Sequence, residues 1–339
     1  MMIIVASIFA SKLFTSNTNQ SPKNKNNQND IDLIEEKVKL KSLKLDEKKI
    51  DFTKNTVRYL ADEKFGGRRT GTAYEAETAL FLANKLKEFG LQPLGENDTY
   101  FQSFPIDSYE LVQRNSRSVF HRLERNNVER LSGDNVLGLI PSSERTNRYI
   151  LISAHHDHLG IIGNYHFPGA NDNASGVTAV LQIAEELSKN KYLPYSIIIA
   201  FWSGEEMGLL GSRYFVENPT VILNNIKLCI NLDSIGSGKD YDFIFWGEKN
   251  LVITDLIKNF HSWEGGSFEH QSQHYNSSDH APFAGKEIPA LTILAANWLE
   301  SNHTVKDTYH LINSKKIVYL SEIIKETVSA PEVAEILNH

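Results

Sequence analysis

Apolar residues fall into two patterns along this chain. Helical spacing, with apolar positions three and four residues apart, predicts helices over Thr53 to Leu60, Ala73 to Phe89 (stopped by Gly90), Val177 to Leu187, Leu251 to His261 and Lys316 to Ser329. Short apolar runs predict strands at Tyr100 to Pro105, Ser118 to Leu123, Asn135 to Ile140, Tyr149 to Ala154, Ser196 to Trp202, Leu228 to Leu232 and Ala290 to Leu294. The runs NVLGLI, YILISA and SIIIAFW suit strands buried on both faces. Strands alternating with helices predict an α/β fold with a mixed, mostly parallel central sheet sandwiched by helices. No fixed-period repeat is visible.

The first residues obey other rules. Ile3 to Phe14 is an apolar run, too short for the ~20 residues of a membrane span. It suits an export signal or an N-terminal anchor, although Lys12 interrupts it and no basic residue precedes it. Ser16 to Asp30 is polar and Asn-rich and buries too little apolar surface to fold. Residues 1–30 are therefore expected to be an apolar start and a disordered tether, on a protein that works outside the cytoplasm. Residues 31–339 are expected to form a single domain with an N-terminal helical segment, since Leu and Ile recur at helical spacing from Ile31 to Phe52.

Composition narrows the partners. Lys plus Arg number 35 against 42 Asp plus Glu, a net charge of −7, which argues against a general binder of nucleic acid or anionic membrane. No obligate protein partner is evident. The one cysteine, Cys229, excludes an internal disulfide framework and a Cys-based zinc site, and its apolar strand suggests an inert buried thiol. The 12 histidines matter more, because several stand beside carboxylates.

In open α/β sheets ligands bind beyond the carboxyl ends of strands. YILISA is followed by His155-His156-Asp157-His158, SIIIAFW by Ser203-Gly204-Glu205-Glu206, and LCINL by Asp233. A loop, Pro168 to Gly176, carries Asp172 just before a helix, and His303 opens HTVKDT late in the chain. Any one of these has an ordinary reading, and Asp172, Asn173 or Ser175 would serve as a helix cap. Together they come after successive strands that the fold would gather. Carboxylates converging in one cleft repel one another unless a cation neutralises them. Nitrogen and oxygen donors without thiolate suit Zn²⁺, with Mn²⁺ or Co²⁺ as substitutes.

The ordered blocks AHHDH, PGANDNASG, AFWSGEEMGLLGS, NLDSIG, SSDHAPFAGKEIPA and HTVKDT resemble the M28 family of zinc metallopeptidases, the co-catalytic aminopeptidases. GRRTGT and LKEFGLQPLGENDTYFQSFP resemble its N-terminal segment, so the likeness runs from about Val57 to Ile323. It implies a zinc-exopeptidase fold of the phosphorylase/hydrolase-like type. It also implies two Zn²⁺ per chain that share Asp172, one completed by His155 and Asp233, the other by Glu206 and His303. Glu205 would be the general base, and Asp157 would accept a hydrogen bond from the His155 imidazole. The implied reaction is release of N-terminal amino acids from peptides or proteins by an activated water. Asp279 and His280 match a block expected beside the substrate or behind the ligands, or simply a turn before Pro282.

Some positions depart from the family's pattern. His156 stands where Tyr is common, and strand geometry points it away from His155. Glu287 stands where Gly commonly precedes Ile-Pro. His158, His166, His270, His274 and His310 lack a ligand-type context and are expected at the surface or cleft rim, while Trp202 and Trp246 read as core or rim aromatics. Many relatives carry a protease-associated domain before the first ligand, and Pro105 to Tyr149 is too short to hold one. Rival readings are a glutaminyl cyclase-like acyltransferase, a carboxypeptidase or dipeptidase on the same fold, and a non-catalytic binding module. A serine hydrolase fails on spacing, because neither Ser175 nor Ser203 lies in G-x-S-x-G.

Overall fold

Four parallel strands form the centre of the sheet, and their shared direction places the site. The computed structural model describes residues 45–106, 109–115, 118–123, 131–144, 146–239, 241–248, 252–259, 267–271, 277–330 and 333. The apolar start, the Asn-rich tether, the expected helical residues before 45, and His274 lie outside the described residues.

In chain order the elements are α1 (Glu47–Leu60), α2 (Ala73–Glu88), β1 (Gln92–Pro93), β2 (Phe101–Ile106), β3 (Tyr109–Asn115), β4 (Ser118–Leu123), β5 (Leu131–Ile140), β6 (Tyr149–His155), β7 (Gly160–Ile162) and β8 (Tyr165–Phe167). Next come α3 (Gly176–Ser188), β9 (Ser196–Trp202), α4 (Leu210–Glu217), β10 (Ile226–Leu232), β11 (Asp242–Gly247), α5 (Val252–Asn259), β12 (Ser267–Gln271), α6 (Ala281–Ala284), β13 (Ala290–Ala295) and α7 (Ser314–Ser329). A nine-stranded sheet runs β1-β5-β9-β6-β10-β13-β11-β12, with β2 also paired to β5. The neighbours β9, β6, β10 and β13 are mutually parallel, while β5 and β11 flank them antiparallel. This is the mixed sheet expected from the alternation of apolar runs and helices. The hairpins β3-β4 and β7-β8 form separate sheets.

The central strands are buried on both faces, as their unbroken apolar runs require. Leu151, Ile198, Ala200, Trp202 and Cys229 pack in one cluster with Phe215 of α4 and Phe283 of α6. Trp202 lies 5.3 Å from Phe215 and 5.9 Å from Phe283, ring centroid to centroid, so it is a core aromatic. Trp246 is also buried, edge-on to Trp298 at 5.1 Å. Side chains alternate across a strand, which leaves Ile150, Ile152, Ile197 and Ile199 for the other face, where α3 packs on β6, β9 and β10. Each such buried side chain contributes roughly 1.5–3 kcal/mol. Helices α1 and α7 pack on α3 and on each other to close that side.

Three details differ from the sequence pattern. Helix α1 starts at Glu47, not Thr53, because Asp46 accepts from Lys48 N–H at 2.9 Å and caps it. The short strands β1, β7 and β8 hold too few residues to show a period. Glu287 has φ +61°, with Ile288 N–H on the Phe283 carbonyl and Glu287 N–H on that of Ala284. These bonds make it the left-handed residue that closes α6, a place usually given to glycine.

Candidate metal centre

Residues His155 and Trp202 are paired at the carboxyl ends of β6 and β9, and β10 ends alongside at Leu232. The segments that continue from these strands therefore leave the same edge of the sheet. They bring His155, Glu205, Glu206 and Asp233 together, and the loops carrying Asp172 and His303 complete the group.

Asp172 is common to both halves of the cluster. Its Oδ1 lies 3.2 Å from His155 Nε2, and its Oδ2 lies 3.3 Å from His303 Nε2. His155 Nε2 is 3.4 Å from Asp233 Oδ1, and His303 Nε2 is 2.9 Å from Glu206 Oε2. Zinc bonds of about 2.0–2.1 Å in a tetrahedron place neighbouring donors about 3.3 Å apart. Three of these four separations match that edge closely, so the donor set fits divalent zinc. His155, Asp172 and Asp233 are all buried and offer donor atoms within 4.8 Å of one another.

The charge balance agrees. Burial alone would lower the His155 and His303 imidazoles, yet facing carboxylates hold both well above the usual range. Those carboxylates are chiefly Asp233 for His155 and Glu206 for His303. Burial would raise Asp172 and Glu206, but the imidazoles around them pull both down. Glu205 moves the other way. Burial lifts its carboxyl well above the usual range, His155 opposes this, and Glu206, Asp233 and Asp279 add to it.

The loop of Asp172 is tied on every side. Asp307 accepts from the N–H groups of Asn171 and Asp172 at 2.8 and 2.9 Å. Asn173 donates to the Leu232 carbonyl and accepts from Ser234 N–H, so the Asp172 loop is laced to the Asp233 loop. A Cβ at Gly176 would collide with that same Leu232 carbonyl, so glycine is required there. Asn302 adds a contact at the open side, donating to Asp172 Oδ2 at 2.7 Å.

Arg68 of GRRTGT fastens the floor. Its guanidinium is buried and donates to the carbonyls of His156, Leu60, Pro168 and Gly169 at 2.7–2.9 Å. Burial lowers its pKa to about 10, with Asp172, Asp307, Asp157 and Glu206 opposing, so it remains charged at neutral pH.

Asp157 stands beside the His155 imidazole. Its main-chain carbonyl, at 3.2 Å, is the nearer acceptor for His155 Nδ1, and its carboxylate stands 3.6 Å away. That carboxylate also accepts from Glu205 N–H at 3.2 Å and Thr70 Oγ1 at 3.0 Å. The histidine reading needs one correction. His158 is fully buried, with Nδ1 2.7 Å from Glu206 Oε1, because the chain turns beneath Gly169 after β6. His156 faces away from the cluster, with Nε2 3.0 Å from the Asp134 carbonyl, and burial lowers its pKa to about 4.

Asp279 and His280 are buried behind the cluster. Ser212 donates to Asp279 at 2.5 Å, and His280 Nδ1 lies 2.7 Å from Thr292 Oγ1. Burial raises Asp279 to about 7, opposed by His155 and the Ser212 bond, and lowers His280 to about 4. Cys229 is buried within β10, where desolvation pushes its thiol upward.

A sequence profile of peptidase family M28 matches residues 135–328, and the chain belongs to that family. Among curated relatives, leupeptin-inactivating enzyme 1 of Streptomyces exfoliatus is 35% identical over 123 residues, which is 36% of this chain and 28% of that protein. Leucine aminopeptidase 2 of Trichophyton equinum is 30% identical over 156 residues, 42% of this chain and 30% of its own. The protein named "Probable lipoprotein aminopeptidase LpqL" of Mycobacterium tuberculosis is 40% identical over 87 residues, 25% of this chain and 17% of its own. The matched stretches thus span less than a third of these relatives. Two solved structures share the fold. The aminopeptidase from Aneurinibacillus sp. strain AM-1 has a TM-score of 0.65 at 18% identity, over 82% of this chain and 93% of its own. The glutaminyl cyclase of Porphyromonas gingivalis has a TM-score of 0.61 at 21% identity, over 82% and 97%.

Proposed function

We propose that this chain is a zinc-dependent exopeptidase that releases N-terminal amino acids from peptides, built as one catalytic domain. His155, Asp172 and Asp233 would hold one ion, and Asp172, Glu206 and His303 the second. The observation that carries this reading is Asp172, which turns one oxygen to each imidazole. Zinc held there supplies Lewis acidity to the scissile carbonyl and acidifies a nearby water.

The chain's own groups do the rest. Glu205 takes a proton from the attacking water as its oxygen adds to the carbonyl carbon, and returns it to the amine as the C–N bond breaks. Asp157 steadies Glu205 through its main-chain N–H. Asp279, which burial holds partly protonated near neutrality, and His280 would shape the back of the substrate site.

A panel of aminoacyl-coumarin substrates, assayed with and without chelator, tests the reading. Release of coumarin that chelator abolishes and Zn²⁺ restores is the expected result. Chelator-resistant turnover, or none on any N-terminal residue, would refute it. The cyclase fold neighbour supports one rival, and a Gln-initiated peptide separates the two: free glutamine marks the peptidase, pyroglutamate the cyclase. Export is part of the proposal, supported by the Ile3 to Phe14 run and by the relative named a lipoprotein. Among the described residues no helix is long and apolar enough to cross a membrane. Fractionation of the producing cells would place the protein.

A further inference from the structure

His158 has no part in the reaction described above, yet it is fully buried against it. Its Nδ1 lies 2.7 Å from Glu206 Oε1, while the other oxygen of that carboxylate, Oε2, lies 2.9 Å from His303 Nε2. The two oxygens of Glu206 are thus divided, one toward the ligand imidazole and one toward His158. We propose that His158 is a positioning residue that holds Glu206 in its metal-ligating rotamer, a role that rests on the metallopeptidase reading.

Two alternatives are weaker. As a buried histidine with a purely packing role, His158 would have no need of a polar partner at 2.7 Å. As a third nitrogen ligand it would share Asp172 and Glu206, since the donor atoms of these three residues lie within 4.8 Å of one another. Its Nδ1, however, is 3.8 Å from Asp172 Oδ2, where His303 Nε2 is at 3.3 Å, and it already meets Glu206 Oε1 at hydrogen-bond distance. A carboxylate only accepts, so Nδ1 must carry the hydrogen.

The ring itself is well held. It lies beneath Gly169, whose φ is +59°, and a Cβ at that position would meet the His158 ring carbons at 2.6 Å. It also meets the His303 ring edge-on, 5.9 Å between centroids. A glutamate side chain turns about three bonds, and a rigid neighbour removes that freedom before a ligand arrives.

The same turn governs both members of the acidic pair. Asp157 accepts from Glu205 N–H, and the next residue, His158, donates to the Glu206 carboxylate. Successive residues after β6 therefore hold successive residues after β9. Such a clamp lets adjacent glutamates take different tasks without exchanging them.

The test is zinc affinity, measured by chelator competition together with metal stoichiometry on the full chain. Asn places an amide N–H near the position of Nδ1, whereas Gln places it near Nε2. His158→Asn should bind two equivalents with affinity near wild type. His158→Gln and His158→Ala should bind two, one of them about 10–100-fold more weakly. The Asn–Gln contrast also controls for folding, since both are polar and buried at one site. Unchanged affinity in His158→Gln would overturn the inference, as would loss of one whole equivalent in both amide variants, matching His303→Ala. A wild-type chain that binds no zinc would overturn the metallopeptidase reading itself.

Discussion

Asp307 accepts the main-chain N–H of Asp172 at 2.9 Å, and so sets the aim of the carboxylate shared by both halves of the centre. Its other oxygen takes Asn171 N–H. One buried side chain thus satisfies two adjacent main-chain donors. Asp307→Ala should cost about 1–3 kcal/mol for each N–H left unsatisfied. It should also weaken zinc about 10–100-fold. Denaturant unfolding and chelator competition measure the two effects, and a variant matching wild type in both would deny Asp307 this role.

Arg68 should tolerate no other cation. A lysine ammonium is a point donor and cannot reach four carbonyls contributed by three segments. Arg68→Lys should therefore lose about 1–3 kcal/mol for each carbonyl stranded without a donor. Unfolding free energy within about 0.5 kcal/mol of wild type, the range of a neutral surface change, would show that the clamp is dispensable.

Glu205 and Asp172 should fail differently. Glu205→Gln should retain both zinc equivalents and lose about 10²–10⁴ in kcat. Asp172→Ala should lose metal at both positions, since each imidazole faces one of its oxygens. Elemental analysis beside kinetics separates the cases. Near-normal turnover in the first, or two tightly bound equivalents in the second, would contradict the assignment.

Glu75 should make stability fall with rising pH. Burial raises its carboxyl to about 8, against opposing bonds from Asp134 N–H and Ser203. Between its ordinary value and 8 the folded chain holds a proton that the unfolded chain has released. Each pH unit in that window then removes up to about 1.4 kcal/mol. Glu75→Gln has no proton to lose, so it should melt above wild type at pH 8 and close to it at pH 5. Parallel pH–stability curves for the two chains would rule the mechanism out.

Much of the scaffold was legible because periodicity reports burial. YILISA and SIIIAFW could be read as strands, and a shared direction sends the residues beyond them to one edge, so His155, Glu205 and Glu206 could be expected near one another. Asp233 obeyed the same logic after LCINL. His158 was not legible, because whether the chain turns beneath Gly169 is decided by a left-handed glycine and a neighbouring loop. Arg68 was missed because its partners are carbonyls, which leave no trace in side-chain identity. Strands β7 and β8, of three residues each, are too short to show alternation.

The groups that face one another across Asp172 are scattered from His155 to His303, far apart along the backbone. An unfolded chain would therefore grip zinc poorly, and the ion would act as a ligand of the native state alone. Mass action then couples heat resistance to metal supply: free zinc at about a hundred times its dissociation constant adds about 2.7 kcal/mol. Such a protein would carry its own gauge of zinc scarcity, unravelling sooner wherever the ion runs short.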